Sequence, residues 1–287
     1  MIDLHNEFLA LTIDPKGAEM QTLTGKGNGL NYLWKGDPAF WGKHAPVLFP
    51  IVGSLKGNTY FYEGKSYTLP RHGFARDKTF TVSFLEPGEA EFTLTDDPST
   101  LAVYPFPFVL DIRYRLEGPV LEVRYQVHNP GLGPLYFSVG GHPAFAVPLV
   151  EGTRYEDYTL TFNRPETAGR RVLEGGLLQG ESPFLKEQSV LPLTHELFAD
   201  DAIVLHGLRS ETVTLGSEKT SHGLRFRILG WPDLGIWAAP LAPFVCIEPW
   251  QGHADPVDSN QQIVYKQGMV ALEPGATWAR SWSVEPF

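Results

Sequence analysis

Cysteine is almost absent from this chain, which has Cys246 as its single thiol among 287 residues. One cysteine cannot form an internal disulfide, and this agrees with a reducing compartment. Its neighbours Val245 and Ile247 are apolar. The sequence therefore favours a packed, inert thiol over a reactive one.

Long apolar runs and an export signal are also missing. The longest apolar stretch, residues 45–52, is far shorter than the roughly 20 residues that a membrane-spanning helix needs. The first seven residues lack the basic and then apolar character of a secretory signal. We therefore expect a soluble cytoplasmic protein with no membrane partner.

Clusters of basic residues are absent as well. The chain has 23 Lys and Arg against 33 Asp and Glu, a formal net charge of −10. Apart from the Arg170-Arg171 pair, lysine and arginine occur singly, so no basic stripe can neutralise a nucleic-acid backbone, and we expect no nucleic-acid partner. Phosphate loops, dinucleotide fingerprints and the Gly-x-Ser-x-Gly elbow of serine hydrolases do not occur either.

The pattern that is present in abundance is that of β-strands. Residues 108–128 alternate between apolar and polar on both sides of a Gly118-Pro119 turn, which predicts an antiparallel hairpin. Shorter units of the same kind lie at 60–69, 80–94 and 224–238. The 29 glycines and 24 prolines leave room only for short helices, around 97–103 and 195–198.

These patterns predict an all-β fold, with residues 1–287 as one domain. Many antiparallel strands over this length imply a large β-sandwich of two sheets packed face to face. The Pro- and Gly-rich segment Asn163–Pro192 is interpreted as a long surface connection, with turns at 174–176 and 180–183.

Three separate segments each place one protonatable side chain among small or aromatic neighbours. His72 precedes Gly73 and His142 follows Gly141, and glycine lets the backbone approach a ligand closely. Glu248 interrupts an apolar strand, where a charge is costly unless it is paired or used. Together these residues could supply an acid and a base without a cofactor.

Other interpretations of these three residues stay open at this point. Both histidines could be core residues satisfied by backbone carbonyls, and Glu248 could face solvent together with Cys246. A metal site of His72, His142 and Glu248 would have a composition used by zinc or iron. It ranks lower, because the three residues lack the close local spacing frequent in such sites.

Five motifs, taken in order, carry a resemblance to a known family. They are His44-Ala45-Pro46-Val47-Leu48-Phe49-Pro50-Ile51-Val52-Gly53, His72-Gly73-Phe74-Ala75-Arg76-Asp77, Gly141-His142-Pro143-Ala144-Phe145, Leu234-Gly235-Ile236-Trp237, and Cys246-Ile247-Glu248-Pro249-Trp250 followed by Gly252-His253-Ala254-Asp255. The chain resembles the aldose 1-epimerase (galactose mutarotase) superfamily, in its LacX-like and hexose-6-phosphate epimerase-like branch. The resemblance covers nearly the whole chain and implies that family's β-supersandwich.

The resemblance also implies roles for particular residues. His72 matches the histidine that contacts the sugar near its ring oxygen, His142 the proposed general acid and Glu248 the general base. For His142 to donate as an imidazolium, the field of the carboxylate has to raise its pKa toward the working pH. Asp201 resembles the family's sugar-binding aspartate, although adjacent Asp200 leaves the register open.

Arg71, Arg76 and Trp237 are further candidates for sugar binding. The alternatives are a surface ion pair for Arg76 and core packing for Trp237. One departure concerns Ser54, which stands where related proteins usually carry an arginine. Arg71, which precedes His72, is the candidate to compensate.

The implied activity is a cofactor-independent isomerase that interconverts the α and β anomers of a hexose, with a small sugar as partner and a monomer or homodimer as the assembly. A hexose-6-phosphate 1-epimerase, with Arg71 and Arg76 as the phosphate clamp, is one alternative. A carbohydrate binder or sensor without turnover is the other, made plausible by Ser54.

Overall fold

The computed structural model describes residues 1–287, and most of them lie in β-strands. The strands are β1 (Ile2–His5), β2 (Leu9–Asp14), β3 (Glu19–Gly25), β4 (Val47–Leu48), β5 (Thr59–Tyr62), β6 (Lys65–Thr68), β7 (Thr81–Glu86), β8 (Glu89–Thr95), β9 (Val109–Glu117), β10 (Val120–His128), β11 (Leu135–Phe137), β12 (Val139–Gly141), β13 (Ala144–Ala146), β14 (Tyr158–Glu174), β15 (Leu177–Pro192), β16 (Ile203–His206), β17 (Thr212–Ser217), β18 (Thr220–Arg227), β19 (Asp233–Trp237), β20 (Phe244–Gln251), β21 (Val270–Leu272) and β22 (Thr277–Pro286). The predicted all-β class is confirmed.

Helical structure is confined to single turns. One α-helix, α1 (Pro98–Leu101), begins after Asp97, whose carboxylate accepts the backbone N–H groups of Ser99 and Thr100. Turns of 3-10 helix lie at Lys56–Asn58, Ala75–Asp77, Tyr155–Asp157, His195–Phe198 and Ile263–Tyr265. Both predicted helical segments therefore exist, and no helix is long and apolar enough to cross a membrane.

Fifteen strands join through hydrogen bonds into one large sheet. Its order is β4-β12-β20-β19-β16-β14-β17-β18-β22-β10-β9-β8-β7, with β13 beside β20 and β15 beside β14. Three small sheets, β1-β2-β3, β5-β6 and β11-β21, complete the fold. A sheet of this length curls or splits, and 70 buried residues form one continuous core. The large antiparallel architecture is as predicted, with most strands in one continuous sheet.

Local strand pairing follows the sequence pattern where the alternation is clear. The hairpin at 108–128 is β9 paired with β10 around Glu117 and Val120. The units at 60–69 and 80–94 are the hairpins β5-β6 and β7-β8. These predictions are confirmed, because each strand pairs with its nearest neighbour in the chain.

Two predictions about chain segments are wrong. Residues 224–238 are not a hairpin, since β18 pairs with β17 and β22 whereas β19 pairs with β16 and β20. Residues 163–192 are not a loose connection, because most of them belong to the long paired strands β14 and β15. The turn at 174–176 is confirmed, but 180–183 lies within β15.

Strand β20 lies between β12 and β13 on one side and β19 on the other. Residues 244–250 are all buried, as is typical of a strand that is covered on both faces. Because side chains alternate along a strand, Phe244, Cys246, Glu248 and Trp250 share one face. The acidic residue of this row is therefore built into the interior of the large sheet.

The loop before β4 is attached to β3 of the three-stranded sheet by a buried carboxylate. Glu19 is only 5% exposed, and its Oε1 accepts the backbone N–H groups of His44 at 2.6 Å and Ala45 at 3.1 Å. The Nζ of Lys43 lies 3.7 Å from Oε2. This carboxylate fixes the end of the loop that carries Trp41.

We predict that Glu19→Ala lowers the free energy of unfolding by about 1–3 kcal/mol, because two enclosed N–H donors lose their acceptor. Glu19→Gln keeps an acceptor oxygen and should lose less. Urea unfolding of both variants measures the difference. Equal midpoints for the alanine variant and the unsubstituted protein would contradict the proposed anchoring role.

Candidate active site

One cavity of about 280 Å³ lies over the middle of β20. Its size is near the lower end of small-molecule pockets, which is roughly 300 Å³, and suits a monosaccharide. Its lining consists of Trp41, Arg71, His72, Arg76, His142, Asp201, Ala202, Trp237, Glu248 and Trp250. The structure thus brings all seven sequence-predicted site residues together, while their roles stay predictions.

A second, larger groove lies away from this cavity, on the other part of the sheet. It measures about 440 Å³ and is lined by residues of β9, β10, β18 and β22 and the turn after β18, among them Glu117, Glu122 and Arg227. It contains no histidine. This groove and a third one of about 510 Å³ beside Asp157 and Lys219 are both larger than the cavity over β20, but neither is lined by a histidine–carboxylate pair.

Glu248 and His142 form the centre of the cavity. The Glu248 side chain is 1% exposed, and its Oε2 lies 3.2 Å from Nε2 of His142. His142 follows β12, which pairs with β20. The interpretation in which Glu248 faces solvent with Cys246 is wrong, because both side chains are buried.

Burial controls the protonation of this pair. It raises the pKa of the Glu248 carboxyl well above its usual range, because the charged form loses its hydration. Burial also lowers the pKa of His142 to about 3. The expectation that the carboxylate would raise the His142 pKa is therefore wrong, because the lost hydration of the charged ring is the largest cause of the shift. Between these two pKa values the pair holds one proton and has no net charge.

His72 is fixed in one tautomer by the backbone. The N–H of Gly53 donates to Nδ1 of His72 at 3.0 Å, so the proton of the neutral ring is on Nε2. Burial, followed by the nearby His142 and Arg71, lowers the pKa of His72 well below its usual value and keeps the ring neutral. His72 is thus a hydrogen-bond donor at the cavity wall, satisfied by a backbone N–H and not by the carbonyl considered from the sequence.

The backbone around His72 requires glycine next to it. His72 itself has φ 68° and Gly73 has φ 73°, in the left-handed region that side chains rarely adopt. A Cβ on Gly73 would lie 2.3 Å from the carbonyl oxygen of Phe49. Such strained backbone is common at functional sites, and here it directs His72 into the cavity.

Charged side chains surround the mouth of the cavity. Nη2 of Arg71 lies 3.4 Å from Oδ1 of Asp201, and Nη2 of Arg76 donates to the carbonyl oxygen of Arg71 at 2.8 Å. The ion pair considered for Arg76 is not formed. Asp201 lines the cavity whereas Asp200 is exposed, so Asp201 is the one of the two aspartates that lies at the cavity, and its role stays a prediction.

Ser54 does not line the cavity, but it lies close to Arg71. A Cβ on Gly176, at the turn between β14 and β15, would be 3.0 Å from Oγ of Ser54 and 3.9 Å from Nη1 of Arg71. The turn therefore packs over the serine. Arg71 lines the cavity, and its compensation for Ser54 stays a prediction.

The sequence did not single out Trp41 or Trp250 as lining residues. The Trp41 ring lies 4.9 Å from the His142 ring with an interplanar angle of 32°, and 5.5 Å from Trp237. Trp41 is on a loop, where no periodicity marks it. Trp250 had a usable signal, because it is two residues after Glu248 on a strand and so shares its face. Trp237 is half-buried and also contacts the core.

Trp250 lies flat across the two strands that flank β20. A Cβ on Gly140 of β12 would be 2.7 Å from Cδ1 of Trp250, and a Cβ on Gly235 of β19 would be 2.6 Å from Cζ2. Glycine in a strand often marks such a close approach. The missing side chains leave the space in which the indole forms the floor of the cavity.

Comparisons with known proteins agree with this geometry. The family model described as aldose 1-epimerase matches residues 1–279. The chain belongs to the aldose 1-epimerase family. It is 35% identical over 294 residues to the plasmid-encoded protein LacX of Lactococcus lactis subsp. lactis, an alignment that covers 99% of this chain and 98% of that protein.

Solved structures of other family members have the same fold. A galactose mutarotase related enzyme from Lactobacillus acidophilus superimposes with a TM-score of 0.96 at 34% identity, covering 99% of this chain and 96% of that one. A galactose mutarotase-like protein from Lactobacillus casei gives 0.94 at 32% identity, with both chains covered completely. The predicted family and its mutarotase-like β-fold are confirmed.

We predict that Gly235→Ala displaces the Trp250 indole into the cavity. A Cβ at this position would lie 2.6 Å from an indole ring atom, so the ring must shift, and the variant should lose about 1–3 kcal/mol of unfolding free energy and bind sugars more weakly. Gly216→Ala is the matched control, because a Cβ at that strand position meets nothing within 4 Å. Thermal unfolding and calorimetric sugar binding test both variants, and an unaffected Gly235 variant would show that the indole floor is not constrained as described.

Proposed function

We propose that this protein is an aldose 1-epimerase that interconverts the α and β anomers of a hexose. The observation that carries the proposal is the contact of 3.2 Å between Glu248 and His142 inside a cavity of monosaccharide size. The family to which the chain belongs is one of isomerases, and the chemistry below uses only side chains that line the cavity.

The reaction needs two proton transfers at one end of a hemiacetal. A base removes the proton of the anomeric hydroxyl while an acid protonates the ring oxygen, and the ring opens to an aldehyde. Both oxygens are bonded to the same carbon, so the acid and the base must be close neighbours. Two protonatable groups in contact, such as Glu248 and His142, meet that requirement.

The proton count of the pair suits this exchange. With one shared proton, Glu248 as carboxylate takes the hydroxyl proton while His142 as imidazolium gives its own to the ring oxygen. The pair is then neutral while the sugar is open, and ring closure on either face of the aldehyde reverses both transfers. Burial favours the form in which Glu248 and His142 are both uncharged, and this form accompanies the ring-open sugar. Attraction over 3.2 Å offsets the cost of the other form, which has a carboxylate and an imidazolium.

The remaining lining residues suit a sugar. The Nε2–H of His72 is a donor for the ring oxygen, whose partial charge grows as the bond to the anomeric carbon breaks. Arg71 and Asp201 offer a donor and an acceptor for ring hydroxyls, and the indoles of Trp41, Trp237 and Trp250 provide apolar walls for the C–H face.

A hexose-6-phosphate is the second candidate substrate, and one observation favours it. Arg71 and Arg76 are adjacent cations that both line the cavity, and the Arg76 guanidinium contacts a backbone oxygen instead of a carboxylate. Saturation by glucose 6-phosphate at concentrations far below those of glucose would select this substrate. Sugar binding without anomer exchange would instead select a non-catalytic binder.

We predict that Glu248→Gln slows anomer exchange about 10²- to 10⁴-fold, the usual effect of removing a general base. Exchange NMR between the anomers measures it. Glu151→Gln, at an exposed position, is the control and should keep the full rate. An active Glu248→Gln protein would reject the proposed base.

The same variant has a second readout that reports folding. Because the folded-state pKa of Glu248 is raised above its unfolded value, the intact protein loses stability as pH rises from about 4.3 toward that raised pKa. A glutamine at this position does not ionise, so the variant does not lose stability in this way. The Glu248→Gln variant should therefore unfold at a higher temperature than the unsubstituted protein at pH 8, with a smaller difference at pH 4.

We further predict the direction of the pH dependence of epimerisation. Activity requires one proton on the pair, so kcat/KM should fall as pH rises through the raised pKa of Glu248. It should also fall as pH decreases toward the His142 pKa of about 3. The charge of Arg71 lowers the Glu248 pKa. Arg71→Gln should therefore move the alkaline limb to higher pH. Rates corrected for spontaneous mutarotation that instead increase with pH would contradict the shared-proton mechanism.

A further inference from the structure

Cys246 lies directly beside the Glu248–His142 pair. One ligand atom from each of His142, Cys246 and Glu248 lies within 4.8 Å of the other two, and all three residues are buried. Cys246 and Glu248 share a face of β20, and His142 follows the paired strand β12. The proposed epimerase chemistry uses only two of these three groups.

The pair also has polar atoms that lack partners. Oε2 of Glu248 and Nδ1 of His142 are both buried and make no hydrogen bond. Oε2 does lie 3.2 Å from Nε2 of His142, but that contact is not aligned as a hydrogen bond. A buried acceptor without a donor costs about 1–3 kcal/mol. The Glu248 oxygen is therefore a free ligand atom that faces the thiol and the imidazole.

We propose that Cys246, His142 and Glu248 together form an inhibitory site for a divalent cation of zinc type. Thiolate, imidazole and carboxylate are the ligands that Zn²⁺ prefers, at about 2.0–2.3 Å. Ideal tetrahedral donors at those lengths are about 3.5 Å apart, so the three groups need to approach by roughly 1 Å. The two negative ligands neutralise the cation, which suits a buried site.

The fourth ligand position faces the cavity. A water molecule or a sugar hydroxyl can occupy it, as in zinc sites that keep an open position. The bound cation takes the oxygen and nitrogen that proton transfer needs. Inhibition should therefore compete with substrate and be reversed by a chelator.

The test is titration of the purified, chelator-treated protein with Co²⁺, followed by absorption spectroscopy. We expect about one equivalent to bind with tetrahedral visible bands and a thiolate-to-cobalt charge-transfer band. Cys246→Ala should lose the charge-transfer band. Glu248→Gln should weaken Co²⁺ binding at least about tenfold, because even outer partners of a metal site contribute that much.

His206→Ala is the matched control for this experiment. Nδ1 of His206 lies 2.8 Å from Oδ1 of Asp233 in another histidine–carboxylate pair, and its loss should leave the cobalt spectrum unchanged. Near-ultraviolet circular dichroism verifies the fold of each variant, and Cys246→Ser replaces Cys246→Ala if the latter unfolds. No charge-transfer band, or a band that persists without the thiol, would overturn the proposal.

The part of the proposal that concerns inhibition rests on the proposed epimerase activity and is measured separately. Zn²⁺ should slow anomer exchange by the unsubstituted protein, and Cys246→Ala should need at least about tenfold more Zn²⁺ for the same effect. A cobalt spectrum without any anomer exchange would reject the epimerase and keep the metal site. Full anomer exchange with no cobalt spectrum would keep the epimerase and reject the metal site.

Discussion

The burial of Glu248 against His142 is the constraint on which the rest of the site depends. A carboxylate on a central strand would be unstable as an isolated charge, and it is tolerated here because an imidazole lies in contact and one proton is shared. The low polarity that makes the pair costly also makes it sensitive to the charge of whatever enters the cavity. Under the proposed function, a hemiacetal that develops charge would therefore meet two groups that respond to it directly.

The charges around the cavity are separated by depth. The interior pair is neutral overall, while Arg71, Arg76 and Asp201 surround the mouth. Groups at the mouth can bind hydroxyls or a phosphate without changing how many protons the interior pair holds, except through their long-range field. Under the proposed function, sugar preference and acid–base chemistry can therefore vary independently.

Sequence patterns identified the parts of the fold that local pairing determines. The β9-β10 hairpin has one apolar and one polar face, so its alternation is plain. Strands β14 and β15 were not predicted, because much of each is exposed on both faces and carries Gly and Pro. The pairing of β18 and β19 was predicted wrongly, because the strands that they do pair with are distant in the chain. Pairing between distant segments leaves no mark in a single sequence.

The candidate site was accessible from its motifs, but its electrostatics were not. Resemblance to the family singled out seven residues that the fold then brought around one cavity, whereas Trp41 contacts His142 through a loop whose path only tertiary packing determines. The His142 pKa was misjudged for a similar reason. A motif shows which groups are neighbours, and the depth at which they are buried decides which charge state survives.

The indole of Trp250 has a consequence for how this family can change. Because it lies across Gly140 and Gly235 on the two flanking strands, any larger side chain at either glycine becomes acceptable only after the tryptophan has been replaced by something smaller. Replacing the tryptophan first leaves a void in the floor of the cavity until larger side chains fill it, whereas enlarging a glycine first creates a clash with the indole. Substitutions at Gly140, Gly235 and Trp250 should therefore depend on one another, and larger residues should replace the glycines where the tryptophan is absent.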